Sequence, residues 1–266
     1  MLTDSVQRQY LARIECALKT AAAVARQFVP DSFNVTDNGG RDVITQIDRK
    51  VNRALRDALP APSEGWLSEE DQDDKTRLSK KVLWVIDPID GTRELVDGIP
   101  EWCISVGLVV AGVAAAGGIC NPPTGEIFLG SLSMGVTYNN RAVQAGLRKS
   151  LDGALVLASR QEYRRGEWAQ FEGRQFSIRP MGSIAYKLAL VSAGLADATW
   201  TLSPKNEWDI AAGVALVKSA GGDVDCIGRT KLRFNQNAPS LPGLVASCRG
   251  VWTRVRQLLD GKDVGA

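Results

Sequence analysis

Residues 83–90 read LWVIDPID, an apolar run that ends on two carboxylates, and Gly91 and Thr92 follow at once. A short run rich in Trp, Val and Ile is the signature of a buried strand. An isolated buried carboxylate is too costly to keep ionised. A strand that finishes on Asp87 and Asp90 therefore has to finish against something cationic. The bland alternative is a turn, with Pro88 second and Gly91 closing it.

The rest of the chain narrows what can hold such a strand. Trp102–Cys120 carries no charge and is long enough to span a bilayer, but Gly107, Gly112, Gly117 and Gly118 interrupt it. Its β-branched residues predict two buried strands with a turn between them, and no membrane span. Helical spacing of Val6, Tyr10, Ile14, Leu18 and Ala21 or Ala22 predicts a helix over 4–28. A loop, PDSFNVTDNGGRD, precedes a second helix that starts at VITQID and places Asp48 near its first turn, where the helix dipole favours an acid. GALVLASR, from about Leu151, reads as the start of a second β/α portion. Residues 184–196 read as a helix, and NEWDIAAGVALVKSAGG as another, stopped at Gly221 and Gly222. The expected fold is a layered α/β sandwich in two halves, 1–150 and 151–266, with the site between them.

Composition excludes several chemistries. There is no histidine, so His-based triads, His general bases and His-ligated zinc are ruled out. The formal charge of +2 is spread along the chain and gives no footprint for a nucleic-acid polymer. Cys16, Cys103, Cys120, Cys226 and Cys248 are odd in number and scattered, which predicts buried free thiols in a reducing cytoplasm. MLTDSVQRQY lacks the basic start and apolar centre of a signal peptide.

Carboxylates must then carry the chemistry. Glu69 and Glu70 in LSEED, Asp48 in TQID and Asp209 in EWDIAAG join Asp87 and Asp90. Singly, Asp209 and Asp48 read as helix caps and the glutamates as a solvated acidic loop. Together, hard oxygen ligands without His or thiolate suit Mg²⁺ or Mn²⁺. Such ions can bind a phosphate, activate a water and steady a leaving alkoxide. Backbone amides at the helix start after Gly91 could bind the phosphate itself. Haloacid-dehalogenase-type phosphatases also end a strand on DGT, but with acids spaced D-x-D near the start of the domain. Here the spacing is D-P-I-D and the motif lies after residue 80.

DVITQID, SEED, WVIDPIDGT and WDIAAGVALVKSAGG, in that order and at these intervals, resemble the inositol monophosphatase superfamily of Mg²⁺-dependent, lithium-sensitive phosphomonoesterases. The resemblance covers about residues 5–257. It implies that Glu69, Asp87 and the carbonyl of Ile89 ligate one metal, and that Asp87, Asp90 and Asp209 ligate a second. A third metal near Glu69 is also implied. Glu69 and Thr92 would orient the attacking water, with Asp48 hydrogen-bonded towards Thr92. Gly91 and Thr92 would bind phosphate, Ser183 would meet substrate or cap its helix, and Glu70 would be structural. The implied reaction is in-line attack by an activated water without a phosphoenzyme.

Within that family LSEED, DGTREL and SPKNEWD resemble the 3′(2′),5′-bisphosphate nucleotidases, which act on 3′-phosphoadenosine 5′-phosphate. Residues 198–206 carry no acid to meet inositol hydroxyls, and Arg93, Arg160 and Lys205 are candidate contacts for a 5′-phosphate. The alternatives are an inositol or other sugar phosphatase and a catalytically weak, phospholigand-binding regulator. A homodimer is compatible with the family. The family's lysine before DxVTxxD is missing, and Arg41 is its candidate substitute.

Overall fold

The computed structural model describes residues 3–27, 39–229 and 231–261. Helices α1 (Asp4–Arg26) and α2 (Gly39–Ala58) pack together and lead into a seven-stranded sheet. Its strands lie in chain order: β1 (Gly65–Ser68), β2 (Val82–Asp90), β3 (Cys103–Val110), β4 (Val113–Asn121), β5 (Glu126–Ser131), β6 (Gly135–Tyr138) and β7 (Arg141–Val143). Only β1 and β2 are parallel; every later pair is antiparallel. The short helix α3 (Thr92–Val96) follows β2.

The second half begins with β8 (Leu155–Ser159), α4 (Arg160–Arg164), β9 (Ser177–Met181), α5 (Ile184–Ser192), β10 (Ala198–Thr201) and β11 (Lys205–Asn206). It continues with α6 (Glu207–Ser219), β12 (Asp223–Cys226), β13 (Ser240–Leu241), β14 (Leu244–Ser247) and α7 (Trp252–Leu259). Five of these strands form a mixed sheet in the order β12-β14-β10-β8-β9, and β11 pairs with β13. Helices α5 and α6 pack against each other and lie between the two sheets. The layers are thus helices, sheet, helices, sheet and outer helix, which is the expected α/β sandwich.

Alternation along β2 explains the layering. Leu83 and Val85 join the core shared with α5 and α6, while Trp84 and Ile86 face the core under α1 and α2. Both faces are buried, so the strand reads as continuously apolar. The uncharged stretch 102–120 becomes β3 and β4, and among the described residues no helix is long and apolar enough to cross a membrane. Two glycines let α6 lie flat on these strands. A Cβ on Gly117 would stand 2.5 Å from the carbonyl oxygen of Ala212, and one on Gly107 2.8 Å from the Cβ of Ala211.

Three expectations are corrected. Helix α2 starts at Gly39, not Val43, because the first turn of a helix tolerates glycine where N–H groups have no intrahelical partner anyway. Asp48 is therefore well inside α2, and no dipole argument applies to it. Cys16 is exposed, whereas the other four thiols are buried; all are free. Residues 28–38 of the expected loop and the side chain of Arg41 lie outside the described residues.

Candidate active site

The end of β2 is irregular for a reason. Asp87 pairs with Ser105 and Asp90 with Cys103, so three steps on β2 oppose two on β3. Residues three apart on a regular strand would face opposite sides. The extra residue of this bulge turns Asp87 and Asp90 towards one cavity. Because β1 runs parallel to β2, with Ser68 beside Ile86, the next residue, Glu69, arrives next to Asp87; its N–H donates to the Ile86 carbonyl at 3.2 Å. Gly91 then takes φ 101°, which an L side chain rarely adopts, and starts α3. Asp209 comes from the first turn of α6, where its Oδ2 accepts from the N–H of Asn206 at 2.8 Å. Asn206 is the cap residue, so Asp209 is not the simple cap that its position suggested.

Glu69, Asp87, Ile89, Asp90, Gly91, Thr92 and Asp209 line one cavity of about 300 Å³. The acids crowd one another. Burial, and then the charges of Asp90, Glu69 and Asp209, push the carboxyl of Asp87 well above its usual range. Burial and Asp90 raise Asp209 to about 7. Glu69 is raised by burial, against a hydrogen bond shared with Asp87.

Among the described residues no three acids already form a closed coordination shell. Glu69 and Asp87 bond to each other, and Asp90 Oδ2 accepts from Ser183 Oγ and the Ala185 N–H, both at 2.6 Å. The donor set nevertheless fits a hard divalent cation: carboxylate and carbonyl oxygens only, with repulsion that a cation would relieve. Among the described residues the hydroxyl of Ser105, opposite Asp87 in the ladder, is buried without a hydrogen-bond partner.

The remaining acids and hydroxyls take these places. Thr92 Oγ1 donates to the Ile89 carbonyl at 3.1 Å, so the expected link from Asp48 to Thr92 is not the one made. Asp48 does not line the cavity; burial and then Glu70 and Glu69 raise its carboxyl to about 7. Ser183 caps α5 by accepting from the Tyr186 N–H at 2.9 Å, and it ties that helix to Asp90. Glu70 faces a separate groove beside Arg49 and Asp71. Glu207 is wholly buried and accepts from the N–H groups of Asn235 and Gln236, so it cannot meet substrate.

Cations line the same cavity as the acids. Arg93, Arg160 and Lys205 line it as expected. Arg160 is no free surface cation: it pairs with Glu101 and, at 3.4 Å, with Glu94. Sequence reasoning missed Lys187. It is 2% exposed, donates to the carbonyls of Met181 and Gly182 at 3.3 and 3.0 Å, and also lines the cavity. Burial brings its ammonium down to about 8. The signal was available: Lys187 is the sole charge in the apolar run IAYKLALV.

Two sheets divided by a helix pair, with an all-oxygen acid cluster at their junction, define a metal-dependent phosphatase. Residues 7–254 match the Inositol monophosphatase family, and the chain belongs to it. That family is Mg²⁺-dependent in general. An inositol-1-monophosphatase from Rhizobium meliloti is 32% identical over 79% of this chain and 82% of that protein. A fructose-1,6-bisphosphatase/inositol-1-monophosphatase from Thermotoga maritima is 33% identical over 78% and 80% respectively. The crystal structure of CysQ from Bacteroides thetaiotaomicron, a bacterial member of the same family, superposes with a TM-score of 0.77 at 25% identity, covering 90% of this chain and 97% of that one.

Proposed function

We propose that this phosphatase hydrolyses the phosphate monoester of a small polyol or sugar, and that a second anionic group on the substrate meets Arg160 and Lys205. The observation that carries the reading is the cavity itself: acids from three separate parts of the chain and the cations Arg93, Arg160, Lys187 and Lys205 line the same space. The names of the curated relatives, an inositol-1-monophosphatase and a fructose-1,6-bisphosphatase/inositol-1-monophosphatase, favour a polyol or sugar over a nucleotide.

In this reading Glu69, Asp87, Asp90, Asp209 and the carbonyl of Ile89 hold two or three Mg²⁺, and Mn²⁺ suits the same oxygens. Bound there, the cations supply the charge that makes a water acidic and steadies the departing alkoxide. Glu69 accepts the proton of the attacking water. Thr92, its own proton given to Ile89, keeps a lone pair to orient that water. The N–H groups of Gly91 and Thr92 hold the phosphoryl oxygens. Ser183 and Ala185 fix Asp90 by occupying one of its oxygens, leaving the other for a cation.

The second reading, hydrolysis of 3′-phosphoadenosine 5′-phosphate, is favoured by the same cations and by the lack of a free acid near the alcohol. Phosphate release with Mg²⁺ from inositol 1-phosphate, fructose 1,6-bisphosphate and 3′-phosphoadenosine 5′-phosphate separates the two. The proposal expects the sugar bisphosphate to lead and chelation to abolish turnover. A clear lead for the nucleotide would replace it with the second reading, and full activity after chelation would sink both.

A further inference from the structure

Glu162 is a buried acid that the mechanism does not use. It is 1% exposed, and no cation pairs with it among the ion pairs of the described residues. Its charge is met by neutral donors. Oε1 accepts from Thr201 Oγ1 at 2.5 Å, from the Leu202 N–H at 3.1 Å and from the Ser203 N–H at 3.0 Å. Oε2 accepts from the Trp168 indole at 3.1 Å. Burial raises the carboxyl, but these bonds together draw it below its ordinary value. Breaking such a network leaves several buried groups unsatisfied.

Three of these donors, Thr201 at the end of β10 and Leu202 and Ser203 in the bend that leads to β11, lie some 40 residues further along the chain. That bend delivers Lys205 to the cavity wall, and then α6 with Asp209. On its own side Glu162 follows Arg160, the other cation of that wall. The carboxylate therefore clamps together the two segments that carry the wall's cations. The stacked indoles of Trp168 and Trp200, 4.7 Å apart, back it from the core.

We infer that Glu162 is a positioning residue for substrate selection: by fixing the 201–203 bend against α4 it sets where Lys205 stands relative to Arg160 in the cavity lining, and so how a second anionic group on the substrate is met. The inference rests on the two-anion reading given above. Asp209 has an anchor of its own, because the start of α6 is held by Glu207 accepting from the N–H groups of Asn235 and Gln236; the effect of Glu162 therefore falls on KM for doubly anionic substrates.

The test compares fructose 1,6-bisphosphate with inositol 1-phosphate on the Mg²⁺-loaded wild type and E162Q. In Gln the amide nitrogen cannot accept, so either the indole or the bend loses its acceptor. E162Q is expected to raise KM for the bisphosphate about tenfold, with kcat and the KM of the monophosphate held within about twofold, consistent with a lost charge-assisted contact. If E162Q does not fold, T201V removes one donor with little change of shape, and about a threefold rise confined to the bisphosphate is expected. Equal changes for both substrates, tracking a fall in melting temperature, would make Glu162 merely structural and overturn the inference. An unchanged bisphosphate KM would overturn it too. A wild type indifferent to the second phosphate would instead remove the two-anion reading, and this inference with it.

Discussion

Replacing Gly117 by alanine tests the claim that α6 is seated directly on the sheet. The new Cβ would stand 2.5 Å from the carbonyl oxygen of Ala212, 2.8 Å from its Cα and 3.0 Å from its carbonyl carbon. Non-bonded carbon contacts are comfortable at about 3.5 Å, so α6 must withdraw by roughly 1 Å. All three neighbouring atoms are backbone, so no side chain can swing aside. Overpacking of this kind costs about 1–3 kcal/mol. For a chain of this size each kcal/mol is worth about 2–4 °C, which sets the expected loss of melting temperature at roughly 2–12 °C. Asp209 rides on the first turn of α6, so activity should fall as well. A displacement of about 1 Å in a reacting group can cost on the order of a hundredfold in rate. Thermal melts followed by far-UV dichroism and Mg²⁺-dependent phosphate release measure both. Gly146→Ala is the control, since its Cβ would meet nothing nearer than 3.4 Å. A G117A protein as stable and as active as the control would refute the close seating of α6.

Other consequences are as direct. Glu64 accepts from Arg13, the Ala61 N–H, Trp84 and Tyr10, and these bonds outweigh burial to hold its carboxyl down at about 2. A depressed folded pKa gives stability that is complete above the ordinary value near 4.5 and is lost as pH falls towards 2. Glu64→Gln should therefore cost up to about 3 kcal/mol at pH 7 and progressively less in acid, read from denaturant melts at several pH values. Arg77, 1% exposed, pairs with Asp73 at 2.7 Å and donates to Asn235 Oδ1 and the Gln236 carbonyl. R77M should destabilise by about 3 kcal/mol in the same assay, and a change under 1 kcal/mol would show that the pair is dispensable. Asp90→Asn should lower turnover at least a hundredfold with unchanged dichroism; near-normal activity would count heavily against the cation site. Mg²⁺ at a hundred times its dissociation constant should stabilise the wild type by about 2.7 kcal/mol, read as a higher melting temperature, and should stabilise D90N less.

The acidic side of the site was legible because it is written locally. LWVI alternates between two cores, and D-P-I-D is the bulge that aims both aspartates one way. The cationic side was only half legible. Arg160 and Lys205 could be named, but their companions Glu101, Glu94 and Glu162 act over separations of about 40 to 66 residues, which no spacing rule reports. Asp48 was misread for a local reason: the glycine pair that looked like a loop is the opening of α2, so an acid that looked terminal is internal.

The helix pair between the sheets has a practical meaning for anyone dividing the chain. The side of the first sheet that bears Gly107 and Gly117 is upholstered by α6, which is translated about ninety residues after those strands. A fragment ending near residue 150 would present that bare floor to water, so it should be recovered as aggregate unless the remainder is supplied in trans.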